Sequence, residues 1–146
     1  MFAMVDEEDF HRLIRYNWYA DKDGYARANV KVKGRWTKVI MSRLILGCSP
    51  DKQVDHINGD ITINCRSNLR ICTRQQNGQN RKKPSTNKSG YKGVSWHKNS
   101  GKWRARITTN NKWISMGSFV NREDAAMAYD FAAIYFFGEF ARLNFP

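Results

Sequence analysis

Between Ile61 and Arg122 the chain carries fourteen Lys and Arg residues and not one Asp or Glu. Such a stretch cannot neutralise itself, so it repels itself unless a polyanion lies against it. The flanks differ. Residues 1–60 hold ten basic and nine acidic side chains, and residues 123–146 hold one and four, leaving the 146-residue chain at +12. A solvated face kept for solubility is the plainer explanation, but it rarely excludes acids so completely, and the basic-patch rule favours nucleic acid. A membrane surface fits less well, because no basic amphipathic helix accompanies the charge. No apolar stretch approaches a membrane span and no charged-then-apolar leader opens the chain, which leads to the expectation of a soluble, cytoplasmic protein. Three cysteines, Cys48, Cys65 and Cys72, are an odd number with no Cys-x-x-Cys pair, so a disulfide framework is not expected.

The length suits one ordinary domain or two small ones. Three regions follow from local pattern, and together they predict an α+β chain. Tyr25 to Val32 alternates as a strand, Lys33-Gly34-Arg35 turns, and Trp36 to Leu46 is a second apolar-rich run ending at Gly47, which reads as a hairpin after the Asp21-Lys22-Asp23-Gly24 turn. Lys31, Lys33, Arg35 and Lys38 mark its wet face. Residues 53–80 are short, polar and crowded with Asp, His and Asn. Residues 81–90 read as a basic linker broken by Pro and Gly, in which Arg81, Lys82 and Lys83 would track a nucleic-acid backbone.

Residues 91–146 have the clearest pattern. Tyr91 to His97, Lys102 to Thr108 and Lys112 to Phe119 predict a three-stranded antiparallel sheet. Asn121 then caps a helix with Glu123 and Asp124 in its first turn, and Gly138 closes it. Ala125, Tyr129, Ala132, Ala133 and Phe136 form a stripe suited to lying on a flat sheet, against Trp103, Ala105, Ile107, Ile114 and Met116. By the period of two, Arg104, Arg106 and Thr108 with Trp113 and Ser115 face away. That basic face with an aromatic in it is expected to meet DNA. Ser95 and His97 come from the first strand, and Lys92 joins them if Gly93 permits a bulge. Arg104 and Arg106 are the best candidates for reading guanine. Trp113 is equally well an edge hydrophobe, and His11 a surface group.

The region 53–80 resists a purely structural explanation. Asp55-His56 is followed by Asn58, Gly59, Asp60, Asn64 and Asn68; Leu69 to Cys72 reads as a short strand. Thr73 with Gln76 is a capping box, placing Asn77 in the first turn of a helix. A hairpin bearing His56 and Asn68, followed by this helix, can bring the side chains together. Neighbours on a strand point to opposite faces, so Asp55 and His56 share a phosphate only by gripping it from two sides or if the strand breaks there.

The run Val54-Asp55-His56-Ile57-Asn58-Gly59-Asp60, through Asn68-Leu69-Arg70, to Gln75-Gln76-Asn77, resembles the HNH homing endonucleases of phage genomes and mobile introns, which use a ββα-metal nuclease fold. Val5-Asp6 to Trp18 and Met41 to Leu46 resemble the segment that usually precedes this motif. Tyr91-Lys92-Gly93-Val94, Lys102-Trp103-Arg104-Ala105, Met116-Gly117-Ser118-Phe119 and Ala125 to Ala132 resemble the Apetala-two type of DNA-binding domain. The resemblance implies an HNH module over 1–80, with its core at 53–80, and a DNA-binding domain over 91–146. It implies His56 as general base, with an imidazole pKa of ~6.5 near working pH. Asp55 and Asn77 would hold one divalent cation, and two hard oxygen ligands suit Mg²⁺, with Mn²⁺ as a substitute, better than Zn²⁺. Asn68 would hold the hairpin and orient His56, and Arg74 would clamp the phosphate. Cys48, Cys65, Cys72 and His97 lack the ligand spacing of a structural zinc site. Ser42 stands where the family usually has His, and relatives usually carry another strand before the acidic opening segment, which predicts a truncated N-terminal sheet. The expected activity is hydrolysis of a phosphodiester bond in double-stranded DNA, with no small-molecule substrate. The alternatives are a non-catalytic DNA-binding regulator that keeps the HNH scaffold, and an RNA-binding protein.

Overall fold

The computed structural model describes residues 2–146, and the chain divides into two compact units, Met1–Gly78 and Gln79–Pro146. Both are built from small antiparallel sheets and short helices, so the fold is α+β.

In the first unit the order is α1 (Glu7–Leu13), β1 (Tyr19–Ala20), β2 (Ala26–Val32), β3 (Arg35–Ile40), α2 (Met41–Leu46), β4 (Gln53–His56), β5 (Leu69–Cys72) and α3 (Arg74–Gln79). Strands β1, β2 and β3 make one sheet and β4 and β5 a two-stranded one. Lys33 and Gly34 both take positive φ, +47° and +81°, as a tight hairpin turn requires to match the strands' twist. The apolar run expected to extend as strand from Trp36 to Leu46 breaks in two: the strand stops at Ile40 and the rest is α2. Met41 and Ile45, four apart, are both buried on one face of that helix, and Gly47 at φ +58° ends it while Cys48 N–H donates to Arg43 O at 3.0 Å. A short apolar run without alternation suits either element, and here burial chose the helix.

Leu13, Ala26, Met41, Ile45 and Leu69 form the core of this unit, with Trp18, Leu44 and Val54 packed against it. Helix α1 begins with Glu7, Glu8 and Asp9, carboxylates placed where they offset the helix dipole. It is tied down by Arg66, whose Nε and Nη2 donate to the two oxygens of buried Asp9 at 2.8 and 2.9 Å, while its backbone N–H donates to Asp6 at 2.7 Å. Arg12 adds a bond to Asp9 at 2.8 Å. These cations, Arg66 first, hold the Asp9 carboxyl below the usual carboxylate range against the opposing effect of burial.

In the second unit β6 (Val94–His97), β7 (Lys102–Thr109) and β8 (Lys112–Phe119) form a sheet in that order, followed by α4 (Arg122–Phe137). Asn110 and Asn111 make the β7–β8 turn with φ +49° and +59°. Ala105 opposes Gly117 and Arg106 opposes Ser115, so Met116 is the extra residue of a bulge. One face of the sheet packs on α4: Val94 and Ala105 with Ala125 and Ala126, and Ile107 with Tyr129, Ala132, Ala133 and Phe137. The alanines allow this close approach. Phe137, rather than the expected Phe136, is the buried aromatic at the end of the stripe, and Phe136 is 39% exposed. Asn121 occupies the N-cap position without capping a backbone N–H; its amide donates instead to Asp124 at 3.1 Å.

Gly93 is required by its surroundings. Its φ is +74°, and a Cβ there would lie 1.9 Å from the ring of buried Tyr129. The tail closes over the unit through buried Asp130, which accepts the N–H groups of Asn144 and Phe145, each at 2.9 Å. Asn144 in turn brackets Lys92, accepting its N–H at 2.7 Å and donating to its carbonyl at 3.2 Å. Within residues 81–90, Asn87, buried Ser89 and Gly90 form a bonded loop against Tyr91. No helix among the described residues is long and apolar enough to cross a membrane.

Candidate active site and nucleic-acid interface

Strands β4 and β5 pair Gln53 with Cys72, Val54 with Ile71, Asp55 with Arg70 and His56 with Leu69. Gln53 and Asp55, two apart, therefore share a face with Arg70 and Cys72. The α3 helix returns to that face. Its start is fixed by a reciprocal cap, with Gln76 N–H donating to Thr73 Oγ1 at 3.2 Å and Thr73 N–H to Gln76 Oε1 at 2.8 Å. Asn77, in its first turn, donates from Nδ2 to Gln53 Oε1 at 2.8 Å. The capped helix thus brings Asn77 to the side of the hairpin that carries Asp55. Arg74 is exposed one turn earlier on α3.

Asp55 and His56 are both buried, at 5% exposure, and bond to Arg70 and Asn64 respectively. The Asp55 carboxylate accepts from Arg70 Nε and Nη2 at 2.9 and 2.8 Å. His56 Nε2 lies 3.2 Å from Asn64 Oδ1, with its ring 6.2 Å from that of Tyr25. The strand ends at His56, where Gly59 N–H donates back to the His56 carbonyl at 2.8 Å. Asn64 Nδ2 donates to the carbonyls of Ile61 and Thr62, which fixes the amide with Oδ1 toward the imidazole. An amide oxygen only accepts, so Nε2 carries the proton and the basic lone pair sits on Nδ1. Burial is the main cause that lowers the His56 pKa from its ordinary value, against smaller raising effects of Asn64, Asp55 and Asp60. A neutral imidazole results.

Asn68 is buried and staples the loop: its Oδ1 accepts from Asn58 N–H at 3.0 Å, its Nδ2 donates to Ile63 O at 2.8 Å, and its carbonyl accepts from Ile57 N–H at 2.8 Å. The side chain bonded to His56 is Asn64, and Arg70 is the one bonded to Asp55; sequence reasoning assigned a role to neither. The signal for Arg70 was the near-symmetric placement of an acid and a base about the loop between β4 and β5. Nothing in the sequence separated Asn64 from the other asparagines. Ser42 is buried in α2.

The second unit presents a different surface. On the face of the sheet away from α4, Ser95 opposes Arg104, Arg106 opposes Ser115, and Thr108 opposes Trp113. The Arg106 guanidinium lies 5.4 Å from the Trp113 ring centroid and 3.5 Å from Ser95 Oγ. Trp113 is 64% exposed, a poor position for an edge hydrophobe. His97 sits at the end of β6 with Nδ1 2.8 Å from Ser100 Oγ. Lys92 precedes the strand and stands apart: it is half-buried, its ammonium donates to Gln79 O, and burial with the nearby Arg142 charge lowers its pKa to about 8. Lys82 and Lys83 line a cleft with Lys92, Arg142 and Asn144, and Arg81 is exposed beside them in sequence. Cys48 and Cys65 are half-buried and Cys72 buried, all as free thiols.

The HNH endonuclease family model matches residues 35–79, which contain this polar hairpin, and the AP2 domain model matches residues 89–139, which contain the sheet and α4. The chain is similar to an uncharacterized HNH endonuclease of Acanthamoeba polyphaga mimivirus, 33% identical over 144 residues, or 98% of this chain and 74% of that protein. Over 59 residues it is 39% identical to Protein 3.8 of Escherichia phage T7, covering 40% of this chain and 49% of that protein. Another 59-residue alignment is 48% identical to an AP2-like ethylene-responsive transcription factor of Arabidopsis thaliana, covering 39% of this chain and 11% of the plant protein. The order of the two matches and the near full-length viral relative agree: the chain belongs to the HNH endonuclease family and carries an AP2 domain after its HNH segment.

Proposed function

We propose that this protein is a site-recognising DNA endonuclease of the homing type, hydrolysing a phosphodiester bond with His56 as general base and one divalent cation. The observation that carries the reading is the buried, neutral imidazole of His56, oriented by Asn64, directly beside the Asp55 carboxylate in the chain. A base must be unprotonated at working pH and held in one tautomer, and both conditions are met by burial and by one amide.

The residues fit a hard cation. Asp55 supplies a carboxylate, and Asn77, held through Nδ2 by Gln53, supplies an amide oxygen on the same side of the hairpin. Arg70 uses Oδ2 of Asp55, and a carboxylate has lone pairs enough for a second partner. Asp55 and Asn77 would hold Mg²⁺, with Mn²⁺ as a substitute. When bound, the ion offsets charge on the leaving 3′ oxygen. His56 takes the proton of the attacking water at Nδ1, Arg74 clamps a phosphate oxygen, and Asn68 keeps the loop that presents them in one shape. The outer sheet face of the AP2 domain supplies affinity and register, through Ser95, Arg104, Arg106, Thr108, Trp113 and Ser115, while Arg81, Lys82 and Lys83 follow the backbone.

The competing reading, a non-catalytic DNA-binding regulator, draws on the Arg70 cation already seated on Asp55. Cleavage of supercoiled plasmid and phage DNA separates the two. Mg²⁺-dependent nicking or linearisation, stopped by EDTA and lowered about 10²–10⁴-fold in His56→Ala with binding intact, is the expected result. Tight binding with no cut by Mg²⁺ or Mn²⁺ on any DNA tried supports the regulator.

A further inference from the structure

We propose that the exposed face of the β2–β3 hairpin, with Lys33 at its tip, is a second duplex-DNA surface, lying in the Met1–Gly78 unit and separate from the AP2 sheet. The inference rests on the DNA reading above. Its register places Asn29 opposite Lys38 and Lys31 opposite Trp36 on one face, and all four are exposed. The other face is the inward one, with Ala26 and Ala28 buried and Val30 and Val39 half-buried. From Lys31 through Lys38 every residue is exposed, so the end of the hairpin stands clear of the core on both faces.

Charge selects the occupant. Residues 24–50 contain six Lys and Arg and no Asp or Glu, a second acid-free segment outside the long one. Arg27 is paired with Asp21, whereas Lys31, Lys33, Arg35 and Lys38 have no carboxylate partner among the described residues. Lysines on exposed strands also protect against edge-to-edge pairing, and that purpose alone would explain them. It does not explain Trp36, which is 72% exposed on the same face and would work against it. A basic ribbon carrying an aromatic suits a polyanion with stacked, partly apolar edges. A two-stranded ribbon fits the major groove of B-form DNA, while the major groove of duplex RNA is too deep and narrow to admit it.

The test uses the full chain with a mixed-sequence duplex of about 40 base pairs, measuring affinity across a salt series. The Lys31→Ala/Lys33→Ala/Lys38→Ala triple variant should bind tenfold or more weakly at physiological salt, with a log–log salt slope shallower by about 2–3, since each lost phosphate contact removes about 0.9. The corresponding Lys→Arg triple should bind like wild type, and Trp36→Ala should weaken binding without changing the slope. If the alanine triple keeps both slope and affinity while Arg104→Ala/Arg106→Ala loses affinity, the hairpin is a solvated face and only this inference fails. If neither variant changes binding, the DNA reading itself fails. A duplex RNA of equal length that competes as well as DNA overturns the assignment to B-form DNA. Should the triple variant not fold, acetylation of the wild-type protein decides: DNA must shield Lys31, Lys33 and Lys38, and unshielded lysines overturn the proposal.

Discussion

At the scale of single residues, the proposed cleavage turns on which nitrogen of His56 is basic. Asn64 decides it, because its amide is already oriented by two backbone carbonyls and has only Oδ1 to offer the ring. Asn64→Ala should leave DNA affinity unchanged and slow single-turnover cleavage on the order of 10- to 100-fold, as loss of an orienting partner does at comparable sites. Equal single-turnover rates for the two proteins would show that Asn64 only supports the loop. The histidine could be singled out as a candidate from the sequence, since Asp55-His56, Asn68 and Asn77 stand at recognisable spacing. Its partner could not: besides Asn68 and Asn77, three asparagines (Asn58, Asn64 and Asn80) lie between residues 58 and 80, and only the folded loop distinguishes them. Arg70 was hidden for a related reason. Its contact with Asp55 exists only because β4 and β5 pair in one register, and a slip of one residue would put Arg70 on the other face.

At the scale of elements, α1 depends on a carboxylate. Asp9 is buried and engaged by Arg66 and Arg12, so its pKa lies below the unfolded value of 3.8. A carboxyl depressed in the folded state stabilises the protein fully above its unfolded pKa and loses that contribution as pH falls through the folded one. Asp9→Asn should therefore cost about 1.5–3 kcal/mol at neutral pH, the range for hydrogen bonds to charged groups. The difference in thermal stability from wild type should shrink as pH drops below 3.8, and a difference independent of pH would place the effect in packing instead. The elements that could be read in advance were those with a strong local signal: β6, β7 and β8, alternating between Asn-rich turns, and α3, announced by Thr73 and Gln76. Those misread lacked one. Met41–Leu46 is apolar at four of its six positions without alternating, and its helical state is set by burial of Met41 and Ile45 with Gly47 beyond. Asn121 has the right chemistry for a cap, yet its Oδ1 takes no helix N–H and its Nδ2 donates to Asp124, an outcome that sequence does not rank.

At the scale of the whole molecule, the two proposed tasks sit on residues of different units: His56, Asp55 and Asn77 in the first, Arg104 and Arg106 in the second. This separation has a kinetic consequence. Contacts made equally in the bound ground state and in the transition state change KM alone, whereas a group that acts only as the bond breaks changes kcat. Arg104→Ala/Arg106→Ala should then raise KM for the cleaved duplex, about 1–3 kcal/mol for each lost base contact, with kcat held within about twofold. His56→Ala should do the reverse, lowering kcat while leaving KM close to wild type. The two effects should add in the combined variant, because the residues share no partner. A fall in kcat with the arginine pair would mean that the AP2 sheet does more than hold the DNA, and that its seating on the duplex helps set the geometry at His56. Charge reinforces the division. The acid-free stretch from Ile61 to Arg122 spans β5, α3 and the β6–β8 sheet, so both units offer basic strands to the proposed polyanion, while the acids lie in α1, β4, the turns, α4 and the tail after it.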